Sequence, residues 1–158
     1  MNSGSSFSIA DIESFASKFY QGRPLLLTPY DYVLTFSALA ANTSATQTLS
    51  ITANADFIFL QLHHRATSSA YAGQTVSTKV APLARILITD SGTNEQFTNA
   101  AVDLENYSTN GNIVNELPYP RIVSGRSTLT VQLSSYEASA TINIDLSFSG
   151  VLVRAFTS

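Results

Sequence analysis

Leu117-Pro-Tyr-Pro-Arg-Ile-Val123, Thr128-Leu-Thr-Val-Gln-Leu-Ser134 and Thr141-Ile-Asn-Ile-Asp-Leu-Ser-Phe148 follow one another in the last third of the chain. The first segment is a proline-braced entry. The other two alternate apolar and polar residues with a period of two, which marks strands that bury one face. Leu129, Val131 and Leu133 share one side of their strand, and Ile142, Ile144, Leu146 and Phe148 share one side of theirs. Beyond Gly150 the pattern changes, because Val151 and Val153 have the opposite parity. A β-bulge at Gly150 is expected to return those valines to the core side.

The same period runs upstream. Tyr32, Leu34 and Phe36 alternate with Val33, Thr35 and Ser37, and Leu49 and Ile51 alternate with Thr48, Ser50 and Thr52. Ala41-Asn-Thr-Ser44 is a turn cluster, so residues 31–39 and 46–53 read as a hairpin. Phe57-Ile-Phe-Leu-Gln-Leu62 is apolar on both faces at its start, as expected of a strand covered on both sides. Arg85-Ile-Leu-Ile-Thr89 supplies a further strand, residues 97–116 read as a polar loop region with short strands around 97–103, and Asn110-Gly-Asn112 marks a turn. The fold class is therefore all-β, an antiparallel β-sandwich of jelly-roll type with seven to nine strands.

One short helix precedes this body. Ser8 and Asp11 form an S-x-x-D start, and Ile9, Ile12, Phe15 and Phe19 recur at helical spacing. Gly22 and Pro24 end the helix, which is expected over residues 9–20. Residues 1–22 thus form an N-terminal arm and amphipathic helix, and residues 23–158 a single β-sandwich domain. An amphipathic helix of this length is marginal alone, and its apolar face is expected to pack against a neighbouring subunit.

Composition narrows the function classes. Charged residues make up 12% of the 158, about half the usual share, and Ser, Thr, Asn and Gln take their place. A neutral polar surface repels its neighbours weakly, which favours a chain that packs against other chains. The net charge of −3 and the arginines spread through the sequence argue against nucleic acid as a partner. There is no cysteine, no apolar run of membrane-spanning length and no signal-peptide pattern at the start, which fits synthesis in a reducing cytoplasm.

Candidate chemistry is sparse. His63 and His64 are adjacent on an expected strand and must face opposite sides, which suits a rim pair better than a metal site. Asp90-Ser-Gly-Thr-Asn-Glu95 is rich in oxygen ligands but lacks EF-hand spacing and reads as a turn. Asp103 and Glu105 have strand spacing that could place two carboxylates on one face, without fixing a separation. No catalytic, metal-binding or cofactor-binding residue is assigned. Exposed aromatic and aliphatic side chains are the better candidates, and the expected interface residues are Ile9, Ile12, Phe15, Phe19, Tyr107, Tyr119 and Tyr136.

Ala55-Asp-Phe-Ile-Phe-Leu60, Arg85-Ile-Leu-Ile-Thr-Asp90, Leu117-Pro-Tyr-Pro120, Leu129-Thr-Val-Gln-Leu133 and Leu146-Ser-Phe-Ser-Gly-Val-Leu-Val-Arg154 together resemble the β-sandwich virion structural proteins of tailed bacteriophages. The likeness covers residues 30–156 and is strongest to small auxiliary capsid proteins, the decoration or cement proteins. It implies a non-enzymatic protein made in the host cytoplasm and located on the outer capsid surface, where it braces the major capsid protein. A sheet edge with few charged residues to guard it is expected to be closed in a homo-oligomer, and the likeness favours a trimer. A neck, tail or fibre-base protein on this fold is the nearest alternative, and a carbohydrate-binding module is a more distant one.

Overall fold

The computed structural model describes residues 7–69, 80–110 and 116–155. Its elements in chain order are α1 (Ile9–Phe19), β1 (Leu25–Leu39), β2 (Ser44–Ser50), β3 (Asp56–Ser68), β4 (Ala84–Asp90), β5 (Glu95–Gln96), β6 (Val102–Asp103), α2 (Leu104–Tyr107), β7 (Glu116–Val123), β8 (Thr128–Ser135) and β9 (Ile142–Ala155). The strands form two antiparallel sheets, ordered β1-β9-β3-β7 and β2-β8-β4-β5, with β6 also on β4. Pairing is nested: β1 with β9, β2 with β8, β3 with β7 and β4 with β5, like one long hairpin folded across itself. Cross-pairing of β9 with β3 and of β8 with β4 closes each sheet. A common core lies between them, with Phe36, Phe57, Phe59 and Phe148 from one sheet and Ile86, Ile88, Leu129 and Leu133 from the other.

The expected hairpin over 31–39 and 46–53 does not form. β1 and β2 are consecutive but belong to different sheets, because β1 is interrupted where its register with β9 shifts between Phe36 and Leu39. Ala38 and Asn42 take left-handed backbone conformations, with φ of 55° and 54°, and turn the chain from one sheet to the other. The proline-braced segment is itself strand β7, at a sheet edge where a missing N–H costs no ladder bond. The expected turn at Asn110-Gly-Asn112 extends beyond the described residues.

The bulge at Gly150 is also corrected. β1 pairs continuously with β9 through Tyr30 and Gly150, so β9 keeps its parity. The irregularity belongs to β3, where Phe59 opposes Gly150 and Gln61 opposes Ser149, leaving Leu60 as the extra residue. Accordingly Phe57 and Phe59 face the core on one parity, and Leu62 and Ala66 on the other. Leu152 continues the inward row of β9, while Val151 and Val153 point to the outer face of the sheet.

That outer face explains α1. Ser8 Oγ accepts from the Asp11 N–H at 3.1 Å, and Asp11 Oδ2 accepts from the Ser8 N–H at 3.1 Å, the reciprocal cap expected at the helix start. Gln21 and Gly22 adopt left-handed φ values of 58° and 76°, and the Gly22 N–H donates to Ser17 O at 2.8 Å to finish the helix. Ala16 is 1% exposed against Ile58, Val151 and Val153, with Ile12, Phe15 and Tyr20 packed around them. The helix therefore covers its own sheet, contrary to the expectation that a neighbouring subunit would take this face. It also accounts for the doubly apolar start of β3, since Phe57 and Phe59 face the core while Ile58 lies under α1.

Candidate interaction surface

The expected interface residues separate into three places. Ile9 and Phe19, at the two ends of α1, remain exposed at 76% and 56%, whereas Ile12 and Phe15 are half-buried toward the sheet. Tyr119 of β7, 71% exposed, joins them: its ring meets Phe15 edge-on at 5.3 Å, and Phe15 stacks on Phe19 at 6.5 Å. The Phe7 N–H donates to Glu116 Oε2 at 2.6 Å and fastens the start of the helix to the same strand. Between α1 and β7 runs a groove of about 580 Å³, lined by Phe7, Phe15, Phe19, Tyr119 and Pro120 with Lys18 and Asp11 at its rim.

Tyr107 and Tyr136 lie elsewhere. Tyr107 is half-buried at the end of α2, a helix that the sequence did not suggest, and packs on the core margin. Tyr136 donates to Asp103 Oδ2 at 2.5 Å, and the Arg85 guanidinium carbon lies 4.9 Å above its ring. Neither tyrosine belongs to the α1 surface.

The histidine pair is divided as strand geometry requires, but His64 is not at a rim. It is buried, with Nδ1 hydrogen-bonded to Ser108 Oγ and Nε2 2.6 Å from Glu105 Oε1. The His64 N–H donates to Thr109 O at 2.8 Å, and the Thr109 N–H to Leu62 O at 3.0 Å, so residues 108–109 run alongside β3. A serine, an imidazole and a carboxylate in sequence have the connectivity of a nucleophile and its base. Ser108, however, is 2% exposed, and its Oγ also lies 3.0 Å from Leu104 O. A reacting carbonyl has no approach to it, and the cluster serves to clamp α2 onto β3. Nothing in the sequence links His64 to residues some forty positions later, so this contact was not legible.

The carboxylate pair and the oxygen-rich turn resolve similarly. Asp103 accepts from the Glu105 N–H at 3.0 Å and from Tyr136, while Glu105 turns to His64. The two acids thus serve different partners. Asp90 is buried, and its Oδ1 accepts from the Gly92 N–H at 2.8 Å, which is turn chemistry as expected. Among the described residues no helix is long and apolar enough to cross a membrane.

Three phenols are shifted upward. Burial, then the hydrogen bond to Asp56 and its charge, hold Tyr20 well above the usual phenol range. Burial pushes Tyr107 up to about 12 against a lowering influence of Arg121. For Tyr136 the hydrogen bond to Asp103 is the main cause. A phenol whose folded pKa is raised contributes stability that is complete below the unfolded value of about 10 and is lost as pH rises through the folded value. We expect phenolate absorbance to show these three tyrosines ionising late, with the denaturation midpoint falling between pH 10 and 12. Full phenolate signal at pH 10.5 with the fold intact would contradict this.

No protein-family model matches the chain, and no curated protein matches it.

Proposed function

We propose that this protein is a non-enzymatic structural component of a phage virion, a jelly-roll decoration or cement protein that binds and stabilises the major capsid lattice. The nested pairing of β1 with β9, β2 with β8, β3 with β7 and β4 with β5 supports the jelly-roll reading, since two Greek keys wound together give that order. The observation that carries the functional reading is the uncovered aromatic face of α1 and β7. Ile9, Phe19 and Tyr119 are large, apolar and exposed beside a groove, on a chain with few charges to keep partners away. Such patches mark protein contacts, and aromatic anchors carry most of the energy in them. Neutral polar surroundings let an interface close without desolvating many ions.

The edge strand β1 adds a second surface. It is fifteen residues long with Asp31 as its only charge, and Leu26, Tyr30 and Val33 are exposed along it. Long edges of this kind are hazards unless a partner covers them, which favours a homo-oligomer, and a trimer suits the local three-fold positions of a capsid. Purified protein mixed with undecorated phage heads is expected to bind in fixed stoichiometry, and Phe19→Ser with Tyr119→Ser to reduce binding at least tenfold while leaving the fold intact. Failure to bind any head or tail particle would overturn the proposal; binding at the neck or tail, seen by cryo-EM, would select the neighbouring virion role.

A further inference from the structure

Arginines that are scattered in the sequence line one cavity at an end of the β1-β9-β3-β7 sheet. Arg23 follows α1, Arg126 lies in the turn between β7 and β8, and Arg154 is the next-to-last residue of β9, yet all three line one cavity of about 430 Å³. They are half of the six arginines in the chain. None of them is in an ion pair with a carboxylate among the described residues.

The frame that holds them is well fastened. Asp56, the acid lining the cavity, has both oxygens engaged: Oδ1 accepts from the Gly125 N–H at 2.8 Å and Oδ2 from the Tyr20 hydroxyl at 2.6 Å. That carboxylate ties the end of α1 to the β7–β8 turn and leaves the guanidinium groups without a bidentate partner. Gly125 lets the turn approach closely, since a Cβ there would lie 2.6 Å from Ala55 O. Arg126 itself is held at φ 69°, a left-handed conformation unfavourable for a side-chain-bearing residue.

We propose that this cavity is a binding site for a phosphate monoester. Each guanidinium offers a planar fork of N–H donors, and one carboxylate, with two oxygens, saturates a single fork. Three such forks, carried by separate elements around one cavity, suit a tetrahedral group with three free oxygens and two negative charges. The cavity falls within the size range of small-molecule sites and has room beyond a phosphate for the group that carries it. The local balance of three cations against Asp56 favours a dianion. This site lies apart from the Phe19–Tyr119 groove, and it stands independently of the virion reading.

The test is calorimetric titration of the full chain at low ionic strength with glycerol 1-phosphate, inorganic phosphate and acetate. Glycerol 1-phosphate is expected to bind saturably and at least tenfold more tightly than acetate. A tighter fit than inorganic phosphate identifies a carried phosphate as the ligand, and equal affinity identifies the anion itself; both support an oxyanion site. Arg154→Gln should weaken binding at least tenfold, and Arg126→Gln, an exposed turn change that leaves the strands intact, should do so as well. Circular dichroism checks that each variant is folded. Acetate binding as tightly as the phosphates, affinity unchanged in folded Arg126→Gln, or no saturable binding would each overturn the proposal.

Discussion

Gly150→Ala and Gly150→Val are both expected to destabilise the protein by about 3 kcal/mol, at the upper end of what overpacking a strand interior costs. For a chain of this size that lowers the thermal midpoint by roughly 10 °C. The cause is contact and not backbone conformation. A Cβ built on Gly150 falls well inside contact distance of the Ile58 carbonyl oxygen, 2.9 Å from Phe57 Cζ and 3.0 Å from Ile58 C. Two of those atoms are backbone in the central strand β3, which cannot yield without breaking its pairing with β9. Because the first added carbon already clashes, alanine is expected to be nearly as harmful as valine. In an unobstructed strand the alanine substitution would be neutral or stabilising through the unfolded chain. Denaturant titration of the two variants decides the point: a tolerated alanine would place the cost beyond Cβ and remove the close approach as its cause.

Gly150 also shows what could be read from sequence and what could not. The opposite parity of Val151 and Val153 was visible, although β9 itself keeps its parity, and only the presence of an irregularity near Gly150 was legible. Its location was not, because a bulge opposite a glycine in the partner strand leaves no mark in the glycine's own strand. Parity within β3 does change, from Phe57 and Phe59 to Leu62 and Ala66, but His63 and His64 obscure it. The capped helix, the strands and the Asp90 turn were legible because each rests on neighbours within a few residues. Which strands pair depends on contacts across the whole chain, so β1 and β2 looked like a hairpin although they lie in different sheets. The same distance hid the His64–Glu105–Ser108 clamp and the grouping of Arg23, Arg126 and Arg154. Phe19 and Tyr119 could be singled out as aromatic residues, but their exposure and their meeting through Phe15 required the fold.

Ala16→Asp is expected to destabilise the protein by about 3 kcal/mol, because it places an unpaired carboxylate in an apolar contact. Ala16 is 1% exposed at the centre of α1, over Ile58, Val151 and Val153, and none of these offers a hydrogen bond or a charge from its side chain. Two routes are open to the variant: to bury the acid protonated, or to lift the helix and expose the outer face of the β9–β3 pair. Both reduce stability, and the second uncovers apolar surface that promotes association. Deleting residues 1–22 should act in the same direction and more strongly, since it also removes the Tyr20–Asp56 hydrogen bond, and the product is expected to aggregate. Ile9→Ser provides the contrast. Ile9 is 76% exposed on the first turn of the same helix, so its loss should leave the denaturation midpoint within about 0.5 kcal/mol of the parent. The outcome separates the covered part of the helix from its exposed first turn. An unchanged midpoint in Ala16→Asp would mean that α1 does not hold to its own sheet in solution, and that its apolar face is free for a neighbouring subunit.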